Sequence, residues 1–416
     1  MTTAHKTPIT FKILVTLLLS LMMASTLKAT PKKSVTDSLP ASTPKSGTLT
    51  LTYLTQRGTD PQTQLYFDPN IQEAGLQGSK LGIQDNNTTG QFLKQTFALK
   101  EMIMDPGTDP MVVFKQLIQS GQRHFIVDLP AETLVSLSKL EESRSALFYN
   151  ISATDDSLRE EACQFNILHL VPSRAMIADA LAQYLAKKRW NEWLLLSGPD
   201  AADQALAAAF RKSAKKFGQK IVQESKWQYQ FEDRRTPESE IPVLTQKGDY
   251  DVVVVADEQH QFGDLLAYRT WLPRPVVGSA GLRPTTWDRT HEAWGALQLQ
   301  TRFKNQTGHE MTSRDYAGWL AVRAIGEASS RTHSLEFEAI RNYILSPAFT
   351  LAGFKGVPLS FRSWDHQLRQ PVLLAADRSL IATAPLEGYL HPKNELDTLG
   401  TDQAESHCRL SSGDPH

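Results

Sequence analysis

The sequence predicts an α/β fold in which parallel sheets are flanked by helices. From residue 48 onward, short apolar runs alternate with amphipathic helical patterns, the order expected of parallel strands joined by helices. Residues 252–255 are apolar on both faces, as in a strand at the centre of a parallel sheet. The candidate strands are too many for one sheet of ordinary width, so we expect two sheets and therefore two lobes.

The candidate strands are short, and many end in small or acidic residues. They lie at residues 48–54, 97–104, 125–127, 146–148, 193–196, 251–255 and 275–278. Beyond Lys355 the pattern changes to short strands at 357–361, 370–375 and 380–383. A turn at Asp377 and Arg378 separates the last two, so we expect them to form an antiparallel hairpin.

The clearest helical patterns lie at residues 172–189, 200–218 and 312–330. The first opens at Ser173 and closes on Lys187, Lys188 and Arg189, whose charges suit the negative end of a helix dipole. Asp200 is a candidate cap for the second helix, and Gly218 is its expected stop.

The N-terminus has the features of a secretory signal peptide at residues 1–29. Two lysines precede an apolar run at 13–24, which is shorter than the roughly 20 residues that span a bilayer. An uncleaved anchor is the alternative. Residues 30–47 are rich in Ser, Thr and Pro, so we expect a flexible leader. The mature chain is expected in the periplasm, with no stable membrane insertion after cleavage.

Composition narrows the possible partners. The chain has 416 residues, and 44 basic residues are balanced by 45 acidic ones, so no strong field attracts nucleic acid. The only cysteines are Cys163 and Cys408, which exclude a Cys-rich metal site. In an exported chain we expect them to form a structural disulfide that pins a C-terminal tail at 396–416 across the second lobe. Two unrelated thiols are the alternative.

The sequence contains none of the usual catalytic or phosphate-binding motifs. GxSxG, HExxH, the Gly-Lys-Ser/Thr phosphate loop and GxGxxG after a strand are all missing, so we expect no catalytic residues and no cofactor. Residues 85–90 resemble half of a calcium loop, but Thr96 stands where a bidentate Glu is required. A polar turn after a helix is the preferred interpretation there.

Two groups of acidic residues could have a functional role, as a metal site or as catalytic carboxylates, or a simpler structural one. Asp257, Glu258 and His260 could bind a metal, but a solvated strand end is favoured, and we expect no metal site. Asp155 and Asp156 could be paired catalytic carboxylates, but a cap or turn role is favoured because adjacent side chains diverge.

The remaining indication of a site is position in the fold. Ligands of open α/β sheets bind beyond the carboxyl ends of the strands. The corresponding loops are 128–133, 150–158, 197–200, 257–262 and 279–285. From them we select the candidate ligand-binding residues Ala131, Ala153, Thr154, Ser197, Glu258 and Ser279. Tyr149, Trp271 and Trp287 are aromatic candidates for the same cleft, with a core position as the alternative for each.

Three stretches together resemble the leucine/isoleucine/valine-binding protein family, the periplasmic receptors of ABC importers with the type I two-lobe fold. They are residues 146–158 with Ser152-Ala153-Thr154, the helix start Pro172-Ser173-Arg174, and residues 354–361 with 370–372. The resemblance implies two Rossmann-like lobes with a ligand cleft between them. It implies lobe I at 48–158 and 277–352, lobe II at 159–276 and 353–395, and hinge crossovers near 158–165, 276–285 and 350–357. The loop with Ala153 and Thr154 would hold a ligand carboxylate.

The implied function is that of a monomeric, non-enzymatic receptor. It would capture a small polar solute, such as an amino acid, and deliver it to an ABC transporter permease. A periplasmic sensor subunit is the alternative, and an enzyme is a third possibility. Residues 179–185, 250–258 and 268–271 resemble a narrower branch that accompanies pyrroloquinoline-quinone-dependent alcohol oxidation, whose ligand would be a metabolite of that oxidation.

One departure from the family concerns the ligand's ammonium group. In the amino-acid receptors of this family a carboxylate on the second lobe pairs with that ammonium. The loop at 279–283 has Arg283 and no acid there, so Asp257 or Glu258 would have to substitute. If neither faces the cleft, an amino acid is a poor ligand, because its buried ammonium would be unpaired.

Overall fold

The computed structural model describes residues 47–58, 73–228 and 236–410. The signal peptide expected at 1–29 lies outside the described residues, as does all of the 30–47 leader except Gly47. Within the described ranges, none of the helices combines the length and the apolar character needed to cross a bilayer.

The described residues alternate between strands and helices along most of the chain. The strands are β1 (Gly47–Gln56), β2 (Gln95–Met104), β3 (His124–Asp128), β4 (Leu147–Asn150), β5 (Ile167–His169), β6 (Glu192–Ser197), β7 (Lys220–Lys226), β8 (Val252–Ala256), β9 (Val276–Gly278), β10 (Arg283–Thr285), β11 (Leu351–Ala352), β12 (Pro358–Phe361), β13 (Leu368–Arg369), β14 (Val372–Ala376) and β15 (Ser379–Ala384). The helices are α1 (Leu76–Leu93), α2 (Pro110–Gln119), α3 (Ala131–Ser138), α4 (Arg174–Lys188), α5 (Ala201–Lys216), α6 (Pro237–Thr245), α7 (Ala296–Thr307), α8 (Ser313–Thr332) and α9 (Phe337–Ile344).

Two parallel sheets form the centres of two lobes, which confirms the predicted α/β class. The first sheet has the strand order β2-β1-β3-β4-β5, and the second has the order β7-β6-β8-β9. An antiparallel sheet, β10-β14-β15, contributes to the second lobe, and a small sheet, β11-β12-β13, packs on the first. The hairpin expected around Asp377 is the β14–β15 pair.

The burial of the central strands explains why they could be predicted from the sequence. All five residues of β8 are buried, because this strand pairs with β6 on one side and β9 on the other while its two faces meet different hydrophobic clusters. Helix α4 begins where the Ser173 hydroxyl accepts a hydrogen bond from Met176 N (3.4 Å), and Lys187 and Lys188 lie in its last turn. These local signals agree with the packing, so both elements were predicted.

Helix α1 overturns one expectation. Residues 85–90 lie inside this helix and form neither a turn nor half of a calcium loop. The carboxylate of Asp85 accepts a hydrogen bond from Trp319 Nε1 (2.8 Å) and pairs with Arg302, while Asn86 Nδ2 donates to Val322 O (2.8 Å). Helix α8 therefore supplies tertiary partners that hold a polar, glycine-containing segment in a helix.

The strand pairing locates the segments that connect the lobes. Strand β5 pairs with β4, so the chain leaves the first sheet after His169, later than the 158–165 region expected from sequence. It returns after β10 at residue 286. Leu359 and Leu368 are buried in the core of the first lobe, so the last connection is at 370–371, beyond the expected 350–357 region.

The expected disulfide is confirmed. Cys163, between β4 and β5, is bonded to Cys408, and their Cα atoms are 5.6 Å apart. The C-terminal tail is packed as far as the structure describes it, and Leu399 is buried in the core of the second lobe. The bond therefore ties the end of the chain to the first lobe.

Candidate functional site

The loop after β4 is held in shape by the buried side chain of Asn150. Its Oδ1 accepts hydrogen bonds from the backbone N–H of Ser152 (3.2 Å) and Ala153 (2.9 Å), and its Nδ2 donates to Ala153 O (2.8 Å). The amides of Ser152 and Ala153 are thus already used inside the loop. Thr154 keeps a half-buried hydroxyl and N–H with no hydrogen-bond partner among the described residues, although its carbonyl accepts from Arg174 N (3.0 Å).

Arg159 links this loop to the first connection between the lobes through hydrogen bonds. Its guanidinium donates to Ala153 O (3.0 Å), to Val171 O (2.8 Å) and to Gln367 Oε1 (2.9 Å). Burial lowers the pKa of Arg159 to about 10, against the opposing charges of nearby aspartates. The side chain stays a cation at neutral pH, and it holds the backbone at Ala153 and Val171 together with the side chain of Gln367 at the hinge.

Arg174, the first residue of α4, connects loops from both sheets. Its Nε and Nη2 donate to the two carboxylate oxygens of Glu258 at 2.7 and 2.8 Å, and its Nη1 lies 3.0 Å from Asp155 Oδ1. Burial alone would lower the pKa of Arg174, but the hydrogen bonds and charges of the two carboxylates raise it above its ordinary value. Asp155 follows β4 and Glu258 follows β8, so the carboxyl edges of the two sheets meet at this guanidinium. We call these three residues the Arg174 cluster.

Helix α4 also receives a cap from the first lobe. Asp156 Oδ1 accepts a hydrogen bond from Ala175 N (2.9 Å), which confirms the expected cap role for Asp156, whereas Asp155 pairs with Arg174. A carboxylate at this position is stabilised by the positive end of the helix dipole. The loop after β4 therefore contacts the start of α4 in three ways: a backbone hydrogen bond from Arg174 N, the Asp156 cap, and the ion pair between Asp155 and Arg174.

On the second lobe, Asp257 and Ser279 have structural roles. The Asp257 carboxylate accepts from the backbone N–H of Gln261 (2.9 Å), Phe262 (2.9 Å) and Gly263 (2.7 Å). The Ser279 hydroxyl accepts from Asp257 N (2.8 Å) and donates to Val255 O (3.0 Å). The expectation of a solvated strand end fails for Asp257, because this side chain is buried and organises the loop that follows.

Ser197 and Asp203 complete the edge of the second lobe. Ser197 Oγ accepts from Gln204 Nε2 (3.1 Å), and Asp203 Oδ1 accepts from Glu258 N (2.7 Å). The other carboxylate oxygen of Asp203 is buried without a hydrogen-bond partner in the described part of the chain, and burial raises the pKa of this group. A Cβ on Gly198 would lie 2.0 Å from that oxygen, so a larger residue there would displace the Asp203 carboxylate.

A second polar cluster lies on the first lobe around Gly75. Tyr53 Oη is 3.3 Å from Asp128 Oδ2, and Arg314 Nη1 is 3.5 Å from the same oxygen. Ile151, Tyr53 and Arg314 all approach the position that a Cβ on Gly75 would occupy. Burial, together with the neighbouring Asp128 charge, raises the pKa of Tyr53, so its hydroxyl stays neutral.

The predicted site residues are thus only partly brought together. Thr154 and Glu258 both contact Arg174, whereas the carbonyl of Ala153 accepts a hydrogen bond from Arg159. Ser279 supports the same loop as Glu258 through Asp257. Ser197 lies on the same edge of the second lobe, next to the Asp203 helix start. Ala131 begins α3 and packs against the apolar cluster that contains Ala153.

The aromatic candidates differ in their surroundings. Tyr149 is buried in the first lobe, where its hydroxyl lies 3.1 Å from His124 Nδ1. Trp287 is also buried and stacks on Tyr316, with ring centroids 4.5 Å apart. Both are core residues. Trp271 is exposed, and its backbone N–H donates to Thr245 Oγ1 (2.8 Å) at the end of α6.

The described residues contain no group of three or more His, Cys, Asp and Glu side chains placed to hold a metal ion. Sequence reasoning missed Asn150, Arg159 and Arg174 as organisers of the site. The available signal was the position of Arg174, because a cation in the first turn of a helix opposes the helix dipole and requires a compensating partner.

Comparisons with known proteins agree with this geometry. A family model described as periplasmic binding protein matches residues 68–233. No curated protein sequence matches the chain. Among solved structures, a branched-chain amino acid ABC transporter periplasmic ligand-binding protein from Burkholderia xenovorans LB400 is 16% identical with a TM-score of 0.67, covering 87% of this chain and 99% of its own.

Two further structures show the same likeness. The leucine-, isoleucine-, valine-, threonine- and alanine-binding protein from Brucella ovis, in a closed conformation, is 15% identical with a TM-score of 0.66, covering 88% of this chain and 99% of its own. A solute-binding protein of an ABC transporter from R. palustris, in complex with benzoate, is 14% identical with a TM-score of 0.63, covering 88% of this chain and 100% of its own. The chain therefore has the two-lobe fold of the type I periplasmic binding proteins.

Proposed function

We propose that this protein is the solute-binding component of an ABC importer. After export to the periplasm and removal of residues 1–29, it captures a small polar solute between its lobes and presents it to a permease. The observation that carries this proposal is the Arg174 cluster, in which Asp155 from the first lobe and Glu258 from the second contact one guanidinium. The carboxyl edges of both sheets, where ligands of α/β folds bind, thus border one cleft.

Closure of the two lobes accounts for ligand capture. A solute that contacts both edges binds the closed form better than the open form, so it shifts the population toward closure. Residues Ala131, Ala153, Thr154, Ser197, Glu258 and Ser279 remain the proposed ligand-facing set. Within this set, Thr154 is the first choice for direct contact, because its hydroxyl and N–H lack partners among the described residues.

The Arg174 cluster also bears on the class of ligand. Both oxygens of Glu258 already accept hydrogen bonds from Arg174, so an ammonium group bound there would compete with a paired guanidinium. We infer that the ligand has no ammonium group. The similar R. palustris protein was solved with benzoate, an acid without one.

This inference distinguishes the two solute classes that the sequence allows. An amino-acid-like ligand requires a free carboxylate for its ammonium, whereas the acids and aldehydes formed by alcohol oxidation do not. We therefore propose the second class, which is the one implied by the resemblance of residues 179–185, 250–258 and 268–271 to the branch associated with pyrroloquinoline-quinone-dependent alcohol oxidation.

Matched pairs of compounds test the proposal. Leucine and 4-methylpentanoate share a carbon skeleton and differ in the ammonium group, as do phenylalanine and 3-phenylpropanoate. We expect the acids without ammonium to raise the melting temperature of the mature protein, since a ligand at 100 times its Kd stabilises by about 2.7 kcal/mol. Native mass spectrometry of the purified protein would identify any solute already retained.

A variant pair makes the test specific to the cleft. Thr154→Val removes one hydroxyl at nearly constant volume and is expected to weaken binding of the acid by about 1–2 kcal/mol. Thr383→Val makes the same change at an exposed position of β15 and should leave binding unaltered. Tighter binding of leucine than of 4-methylpentanoate would refute the ligand class. Absence of any bound or retained solute would refute the binding function itself.

A further inference from the structure

The C-terminal segment at residues 394–408, which we call the C-terminal strap, contacts both lobes. It follows β15 and contains one short 3-10 turn, Glu395–Thr398. Segments with so little regular structure are usually mobile unless other contacts hold them. The strap is held by an ion-pair network, by a hydrophobic anchor and by the Cys163–Cys408 bond.

On the second lobe the strap contacts the interior of α4 and the last residue of α5. Gly400 N donates to Asp179 Oδ2 on α4 (2.9 Å), and Lys216 Nζ on α5 donates to both that oxygen (2.6 Å) and Gly400 O (3.0 Å). Leu399, the preceding residue, is fully buried in the core of the second lobe. This end of the strap therefore belongs to the second lobe.

On the first lobe the strap meets two arginines that flank the β12–β13 turn. Arg362 Nε donates to Asp397 Oδ1 (3.0 Å) and its Nη2 donates to Leu399 O (2.8 Å). Arg369 donates to both oxygens of Asp397, at 2.7 and 3.0 Å. Strands β12 and β13 pack on the core of the first lobe, so Asp397 is bound from that side.

The end of the strap is fixed to the first lobe a second time. Cys408 is bonded to Cys163, and His407 N donates to Glu160 Oε2 (2.8 Å). Gly400 also lies next to the first connection between the lobes, where it shares a water-sized cavity of about 10 Å³ with Ser173 and Arg362. The strap thus crosses from one lobe to the other beside the hinge.

We propose that the C-terminal strap is a fourth connection between the lobes and limits how far the cleft opens. This inference rests on the proposed function, in which the lobes open and close around a solute. The three hinge connections allow rotation, whereas a segment bonded at one end and ion-paired at the other restricts the separation of its two anchors. A receptor that opens less is closed for a larger fraction of the time, which raises its apparent affinity.

The distance between the lobes tests the proposal without any ligand. Spin labels attached to a ketone-bearing amino acid at Glu132 and Ala201 would report it by pulsed electron–electron resonance. Both residues are exposed in the first turns of α3 and α5, on opposite edges of the cleft. If the strap restrains the lobes, we expect a narrow distribution of the distance between the two labels in the ligand-free protein. The C163S/C408S variant should populate longer distances that the unsubstituted protein lacks.

Further variants keep the test decisive if the double cysteine variant fails to fold. Asp397→Asn removes the charge that pairs with Arg362 and Arg369, and Asp179→Asn removes the charge that pairs with Lys216, with the disulfide intact in both. Each should lengthen the distance distribution. Arg331→Ala breaks an exposed ion pair with Glu327 on α8, away from the strap, and should not.

The outcomes separate this proposal from the binding function. Identical distance distributions in the unsubstituted protein and in every folded strap variant would overturn the strap as a restraint, even if the protein binds a solute. Longer distances in the strap variants but not in Arg331→Ala would support it, whether or not a solute has been found.

Discussion

Lys355 provides a test of the hinge through its ionisation. It lies between β11 and β12 and is buried, with Nζ donating to Thr286 O and to Pro371 O (3.2 Å), two residues in different connections between the lobes. Its Nζ is 5.2 Å from the centre of the Tyr316 ring, and His291 is a further titratable neighbour. Burial lowers the pKa of Lys355 from 10.5 to about 7.

The direction of the pH dependence follows from that shift. Between pH 7 and pH 10.5 the unfolded chain holds a proton on this lysine that the folded protein has mostly released. The free energy of unfolding therefore rises with pH across this window, and the stability gained is lost again as the pH falls toward 7. Integrating from pH 7 to pH 9 gives a contribution of about 2 kcal/mol from this one group.

Lys355→Met removes the ionisable group at similar side-chain length. We expect urea unfolding to show a gain in stability from pH 7 to pH 9 that is about 2 kcal/mol smaller in this variant than in the unsubstituted protein. Lys247→Met, at an exposed turn, controls for the loss of one lysine and should keep the full gain. An equal pH dependence in the Lys355 variant and the unsubstituted protein would refute the reasoning.

Two more predictions concern packing and the loop of the candidate site. Gly78→Ala places a Cβ 1.8 Å from Asp315 O where α1 meets α8, so we expect a loss of about 3 kcal/mol in urea unfolding; Gly58→Ala, with open space around it, should have little effect. Asn150→Ala removes the side chain that binds the amides of Ser152 and Ala153. Hydrogen exchange at those two amides should become faster, and unchanged protection would show that other contacts order the loop.

The parts of the fold that sequence predicts well are those in which local pattern and tertiary packing agree. The valines of β8 are apolar because both faces of that strand are covered, and the helix at α4 carries both its cap and its terminal lysines. The edge strand β7 gave no such signal, since most of its residues are half-buried or exposed and alternate weakly. Helix α1 was missed because its polar residues are stabilised by partners on α8, more than 200 positions away.

The candidate site was also predicted only in part. The loops that follow predicted strands could be selected as candidate ligand-binding loops, because the strands determine where these loops begin. Ala153, Thr154 and Glu258 were predicted as site residues in this way. Arg174 could not be assigned a role, because its partner Glu258 is 84 residues away in the chain. Asn150 was expected only as the end of a strand, and its function depends on the path that the following backbone takes.

The bond between Cys163 and Cys408 has a consequence for the order in which the protein assembles. The two cysteines are separated by 245 residues. All residues of strands β1 to β9 precede Cys408 in the chain, so both parallel sheets can form while Cys163 is still a free thiol. Because the strap that carries Cys408 contacts both lobes, docking of the lobes brings Cys408 close to Cys163 and favours formation of the bond as a late step of folding.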